Sequence, residues 1–369
     1  MKVRLRSFIR DYDLYIIIAL LLVCLLGLVG VYSATYKGSP SPLFIKQTLY
    51  ILVGLIIIFL LSRVNFRALY DMAPAIYFLN LFLLVLVPFV GKTVYGAKRW
   101  IDLGPVSIQP SEFMKFSLLF FTLYTLGHTN KLFSRETLIL LTAFAMPTVL
   151  TLKQPDLGTA VIYGVIVVLI LFLKGLSLRY FILTGFSLLL MSPLIWHSLK
   201  DYQKARILAV LDPYEDYHGS GYQLIQSVIA VGSGGFLGKG FLQGTQSHLL
   251  FLPEKHTDFI FSVIAEEWGF VVGLVFLASF FVIFYRIVYY SMDTPHLTER
   301  IYLGTFAGLW LFQTGVNLLM TMGLAPVVGV PLPFVSYGGS SIITFSLLIG
   351  VAFSIIREQR NRPIRFENG

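Results

Sequence analysis

Charge is scarce in this chain: 28 Lys and Arg with 19 Asp and Glu among 369 residues, 13% of the total against 56% hydrophobic, at mean hydropathy +0.79. Soluble domains carry about twice that share of charge, so water is excluded as the main solvent. One cysteine, Cys24, excludes an internal disulfide and a thiol-rich metal centre; inside an apolar run it is packing. The six histidines are scattered, without paired spacing on one helix that would hold a metal. The glycine-rich runs lack the preceding strand and the Gly-Lys-Ser/Thr ending of a nucleotide-binding phosphate loop. Lys2, Arg4, Arg6 and Arg10 precede an apolar run that no small-residue cleavage pattern closes, which makes it an uncleaved span rather than a removed signal. Matched motifs in the two halves are also missing, which counts against an inverted-repeat transporter.

Long apolar runs are what the sequence has. They lie near Tyr15–Ser33, Leu49–Leu61, Ile76–Val90, Phe113–Leu126, Leu138–Leu152, Thr159–Leu173, Phe181–Trp196, Phe259–Tyr285, Ile301–Met320 and Ser341–Ile356. The fold class is therefore an all-α integral membrane protein of about ten transmembrane helices. The net charge of +9 would suit nucleic acid if it clustered, but Lys and Arg fall at span ends, so no nucleic-acid partner is expected; membrane lipid is.

Basic connectors at Arg63/Arg67, Lys131/Arg135, Lys174/Arg179 and Arg286/Arg300, with Arg357, Arg360, Arg362 and Arg365, alternate with connectors poorer in basic residues. That bias places both termini in the cytoplasm. The expected organisation is one membrane domain over 1–369, with a cytoplasmic N-terminus at 1–13, a large outer loop at 197–257 between spans seven and eight, and a cytoplasmic tail at 357–369. The outer segments hold most of the unusual polar residues, so the chemistry is expected to face outward.

The strongest cluster is Leu252-Pro253-Glu254-Lys255-His256-Thr257-Asp258-Phe259 at the head of a long apolar run. Thr257 or Asp258 can cap that helix by accepting its free amide protons. Ionisable groups at membrane depth also mark functional paths, and a carboxylate in a partly desolvated cleft suits a general base. Asp258 is the first candidate. Glu266 and Glu267, about two turns further on, are either part of the same site or structural, paired with a base from elsewhere.

A second cluster joins Lys98-Arg99-Trp100-Ile101-Asp102 to Gln109-Pro110-Ser111-Glu112-Phe113-Met114-Lys115. Lys98 and Arg99 suit a diphosphate at headgroup level. Glu112 and Lys115 fall on one helix face, as a surface pair, a buried pair or a ligand contact. In Lys153-Gln154-Pro155-Asp156, Asp156 either caps the next helix or meets Lys115 or Asp258 across the bundle. In the long loop, Tyr222, Gln223, Gln226 and Ser227 have the spacing of a short interfacial amphipathic helix. Ser340 or Ser341 can cap the last span. If a cation acts, it is a hard one, Mg2+ or Mn2+, bridging a diphosphate and a carboxylate such as Asp258.

Taken in order, Lys98–Leu103, Gln109–Lys115, Gln154–Thr159, Phe251–Glu267 and Pro331–Ser341 resemble the motifs of the shape, elongation, division and sporulation family, over nearly the whole chain. Gly244-Thr245-Gln246-Ser247 is similar to its elongation members rather than its division members. The resemblance implies a peptidoglycan glycosyltransferase that polymerises lipid II during cell elongation at the outer face of a bacterial inner membrane. It implies a class B penicillin-binding protein as transpeptidase partner, alongside other elongation-machinery proteins. Asp258 then matches the family's essential aspartate. Arg99, Glu112, Lys115 and Asp156 match positions implicated in function, and Lys98, Lys255 and His256 join them as expected substrate contacts. The rival readings are a lipid II transporter and a structural scaffold for the penicillin-binding partner.

Overall fold

The computed structural model describes residues 11–94, 97–104, 106–127, 135–214, 219–249 and 251–361. The basic residues at 2, 4, 6, 10, 131, 362 and 365 lie outside them. In chain order the helices are α1 (Leu14–Thr35), α2 (Pro42–Leu61), α3 (Phe66–Asp71), α4 (Ala73–Val90), α5 (Pro110–Gly127), α6 (Arg135–Lys153), α7 (Leu157–Leu173), α8 (Leu178–Ser198), α9 (Asp201–Leu211), α10 (Ser220–Ser233), α11 (Thr245–His248), α12 (Ile260–Asp293), α13 (Leu297–Thr321) and α14 (Gly339–Arg360). Eight of them are long and apolar enough to cross a membrane, and α5, with 18 residues, and the shorter α7, with 17, coincide with the other two expected spans.

Asp13 shows how sequence fixes the first element. Its carboxylate accepts from Ile16 N at 3.1 Å, capping α1. The same group accepts from Arg286 Nε at 2.9 Å and Tyr290 Oη at 2.8 Å on α12. Arg360, at the end of α14, donates to Tyr290 Oη at 2.7 Å. The buried carboxylate thus ties the starts and ends of three helices together at one end of the bundle. Arg286, expected in a connector, lies inside α12, which runs eight residues past the expected end at Tyr285.

α14 is almost wholly buried and packs closely on α2 and α5. Glycines allow that approach: a Cβ on Gly54 would lie 2.5 Å from Ser346 Oγ, and one on Gly350 would lie 3.2 Å from Ile58 Cα. α8 is the opposite case. Its 21 residues include no buried one, and Phe181 touches the rest of the chain through the Phe172 ring, with centroids 5.9 Å apart.

The long segment expected to lie outside contains the helices α9, α10 and α11 rather than being a loose loop. α10 rests on α12 and α13, with Ser227 Oγ 2.7 Å from Ser262 Oγ and donating to Thr321 O at 2.7 Å. Its expected helix is present, but Ser227 is buried against protein. In the other outer segment, β1 (Lys92–Val94), β2 (Ala97–Asp102) and β3 (Ser107–Ile108) form a small antiparallel sheet that the sequence reading did not anticipate.

α12 was expected to be continuous, and it breaks at Gly269 (φ 69°, ψ −168°). The groups freed by the break are bonded to the turn at 235–240: Lys239 N donates to Glu266 O at 3.0 Å, Gly240 N to Glu267 O at 2.9 Å, and Phe270 N to Gly235 O at 3.0 Å. A Cβ on Gly269 would overlap Gly238 N. Gly269→Ala is therefore expected to cost about 1–3 kcal/mol or more, seen as a lower midpoint of thermal unfolding in detergent. Gly185→Ala on α8, where a Cβ meets nothing within 4 Å, should leave the midpoint unchanged.

Candidate active site

Asp258 sits in the turn that leads into α12, at the end of the bundle opposite Asp13. The turn is held from outside by the segment between α13 and α14. Tyr337 N donates to His256 O at 2.9 Å, Ser336 Oγ to Thr257 O at 2.7 Å, and Asn317 Nδ2 to Asp258 O at 2.9 Å. Two buttressing residues have left-handed backbones, Glu254 (φ 48°) and the buried Phe334 (φ 63°). For non-glycine residues such geometry is held by its surroundings and collects at functional sites.

The expectation that Thr257 or Asp258 caps α12 is not met. Phe259 holds the cap position with no side-chain cap, and Thr257 Oγ1 donates to Glu254 O and Oε2, each at 3.1 Å. The Asp258 carboxylate is half-buried and, among the described residues, makes no hydrogen bond or ion pair. Burial, reinforced by the Glu254 and Asp156 carboxylates, pushes its pKa up to about 6 against the opposing pull of Arg206 and Arg99. The backbone at 328–331 runs beside it: a Cβ on Gly329 would lie 3.5 Å from Asp258 Oδ2.

The neighbours expected from sequence divide into three kinds. Lys115 and Glu112 form a fully buried pair, Nζ to Oε1 at 2.6 Å, with Gln313 Oε1 accepting from the same amine at 3.3 Å. Burial leaves Glu112 Oε2 without a partner. Asp156 caps α7 through Thr159 N at 3.1 Å and also accepts from Gln109 Nε2 at 3.3 Å. Arg99 donates to Gln154 O at 2.8 Å and to Pro155 O, so it braces the turn that presents Asp156. Lys98 is exposed and donates to Pro88 O at 3.4 Å. Lys255 donates to Ser247 O, and its amine is held below the usual lysine range by burial and by Lys37. Burial likewise lowers the pKa of His256, whose ring lies 5.8 Å from that of Tyr337.

Glu266 and Glu267 are structural. Glu266 pairs with Lys239 at 2.7 Å and accepts from Gln246 N at 2.9 Å, while Glu267 meets His248 Nε2 at 3.0 Å and Ser33. Together they fasten α11 onto the head of α12. Ser340 does not cap α14 either: its Oγ accepts from Gln109 N at 2.9 Å.

Three contributors were missed. Arg206, on α9, is near enough for its charge to hold the Asp258 pKa down. Gln313 and Asn317 lie on α13, one turn apart, where two carboxamides inside an apolar run were the available signal. No cluster of three or more His, Cys, Asp or Glu that could hold a metal ion occurs among the described residues.

A buried ion pair, a carboxylate free to take a proton, and arginines around it at one end of an apolar helix bundle define a multi-pass membrane enzyme. The chain belongs to the FtsW, RodA and SpoVE cell cycle protein family, whose model matches residues 12–361. It is 39% identical over 344 residues to the peptidoglycan glycosyltransferase MrdB of Escherichia coli K12, covering 91% of this chain and 92% of that one. It is 36% identical to a probable peptidoglycan glycosyltransferase FtsW of Geobacter sulfurreducens, covering 96% of this chain and 98% of that one. Among solved structures, a chain from a peptidoglycan synthase complex that coordinates polymerization and crosslinking superposes with TM-score 0.80 at 34% identity, covering 95% of this chain and 99% of that one. The crystal structure of Thermus thermophilus RodA does so with TM-score 0.70 at 30% identity, covering 95% and 98%. With relatives so named over nine-tenths of its length, the chain is a glycosyltransferase of this family.

Proposed function

We propose that this chain polymerises lipid II into glycan strands at the outer face of the bacterial inner membrane during cell elongation, with Asp258 as general base. The observation that carries the reading is the half-buried Asp258 carboxylate, without a hydrogen bond or ion pair among the described residues and within the field of the Arg206 and Arg99 charges. The 4-hydroxyl of the incoming lipid II attacks the anomeric carbon of the growing chain. Its proton passes to Asp258, the bond from the anomeric carbon to the diphosphate oxygen breaks, and undecaprenyl diphosphate leaves. A single displacement with one base inverts the anomeric centre. Arg206 supplies positive charge where the diphosphate develops negative charge, and Arg99, Lys98, Lys255 and His256 complete the polar rim for the headgroup. If Mg2+ or Mn2+ takes part, the Asp258 carboxylate would help hold it and it would supply positive charge toward the substrate diphosphate.

Asp13 and Arg360 meet around Tyr290 Oη, far along α12 from Asp258, and the basic connectors favour the cytoplasm for that end, which supports an outward-facing site. A class B penicillin-binding protein supplies the crosslinking activity, in line with the synthase complex to which the fold is similar. The test is polymerisation of labelled lipid II by purified protein, with and without that partner, Mg2+ or Mn2+. Polymer establishes the reaction; none from any folded, assembled combination favours a lipid transporter.

The base assignment also fixes a pH dependence. Asp258 acts only when ionised, so kcat/KM should rise as pH climbs through about 6 and level off above it. Glu254 and Asp156 push that midpoint up, and Arg206 and Arg99 pull it down. Arg206→Gln should therefore move the acid limb to higher pH, measured by initial polymerisation rates from pH 5 to 8.

A further inference from the structure

One face of α13 touches both halves of the site. Asn317 is fully buried, and its Nδ2 donates to two carbonyls at once, Asp258 O at 2.9 Å and Val330 O at 2.7 Å. The orientation of the carboxamide is settled by its partners, since its oxygen placed there would face two acceptors. One turn earlier, Gln313 is also fully buried. Its Nε2 donates to Pro331 O at 2.8 Å, and its Oε1 accepts from Lys115 Nζ at 3.3 Å. Val330 and Pro331 are adjacent, and their segment is the one whose Gly329 lies beside Asp258 Oδ2. Two carboxamides therefore link the Lys115–Glu112 pair, the segment at 329–331 and the main chain of Asp258 in one continuous ladder.

The ladder uses side chains whose job a plain apolar helix would not need. Carboxamides are costly inside a bundle unless bonded, and Asn317 Oδ1 is itself buried without a partner. What the pair supplies in return is a fixed separation between a buried cation and a reacting carboxylate, both referred to one rigid helix. Because the Asp258 side chain makes no hydrogen bond or ion pair among the described residues, no polar contact of its own fixes it and its position follows how its main chain is held.

We propose that Gln313 and Asn317 are positioning residues for glycosyl transfer: α13 sets the place of the Asp258 carboxylate relative to the Lys115 pair through them. This rests on the reading of Asp258 as the base. The test uses the full-length protein with its class B penicillin-binding partner and labelled lipid II. Asn317→Leu keeps the size of the side chain and removes its donor. The expected result is a 10- to 100-fold fall in kcat, with KM for lipid II within twofold of wild type and the complex recovered in normal yield. A kcat within twofold of wild type, or a loss expressed in KM instead, would overturn the proposal. Gln313→Met, which leaves the Asp258 contact in place, should lower kcat three- to tenfold, again without moving KM; an unchanged kcat there overturns the proposal equally if Asn317→Leu does not fold. Wild-type protein that makes no polymer sinks the reading of the site, whereas active wild type with unimpaired variants sinks the positioning role alone.

Discussion

Asp258→Asn is expected to lower lipid II polymerisation by about 10²–10⁴-fold, the range that a positioned general base contributes. The change is close to isosteric, and it breaks no side-chain contact, because the Asp258 carboxylate makes no hydrogen bond or ion pair among the described residues. Folding should not suffer. The carboxyl has a folded pKa of about 6, above its unfolded value near 3.8, so the folded state binds more protons than the unfolded state between these values. Stability of the wild type accordingly declines as pH rises across that window. The variant lacks this term, and its thermal midpoint at pH 7 should equal or exceed that of wild type while polymer formation is lost. A low midpoint together with low activity would instead identify Asp258 as a structural residue. Lipid II binding, measured separately, should be nearly unchanged, since binding precedes the proton transfer.

Lys115→Met should act in the opposite manner, through the fold. It leaves Glu112 fully buried with one oxygen newly unpaired and the other already without a partner. Breaking a buried pair by removing one member costs about 3–5 kcal/mol, a large share of the stability of an ordinary domain. Yield of folded protein and thermal midpoint should both fall sharply. Adding Glu112→Gln should restore most of the midpoint, because a neutral amide replaces the stranded charge. Activity should stay low in the double variant, since Gln313 loses the amine that its Oε1 accepts from. If the single variant melts like wild type, the pair is not the buried strut described above.

The ten helical spans were legible because apolar runs of membrane length have few alternatives. The sheet at 92–108 was not. Lys98, Arg99 and Trp100 were read for their chemistry, and strands as short as Lys92–Val94 leave little alternation to detect. The break at Gly269 was hidden for a related reason. One glycine within a long apolar run reads as helix, and its left-handed backbone depends on the distant 235–240 turn that bonds the broken ladder. Asp258 was found from its charge and location. Its release from capping, which makes its carboxylate available, follows from Tyr337, Ser336 and Asn317 grasping the main chain across the fold, and no local pattern reports that. Arg206 was passed over because its value lies in which carboxylate its charge reaches.

The interruption at Gly269 divides α12 into a stub of nine residues, Ile260–Trp268, and a lower shaft, Phe270–Asp293, about 36 Å long at 1.5 Å per residue. The shaft alone is long enough to cross the hydrocarbon, so the stub that follows Asp258 is not needed for the span. Rotation or tilt of the shaft need not be transmitted up a continuous helix, because the turn at 235–240 bridges the two pieces with its own hydrogen bonds. Mechanically this is a pivot with a coupling arm. The stub that follows Asp258 is thus bonded to the turn at 235–240 as well as to its own shaft.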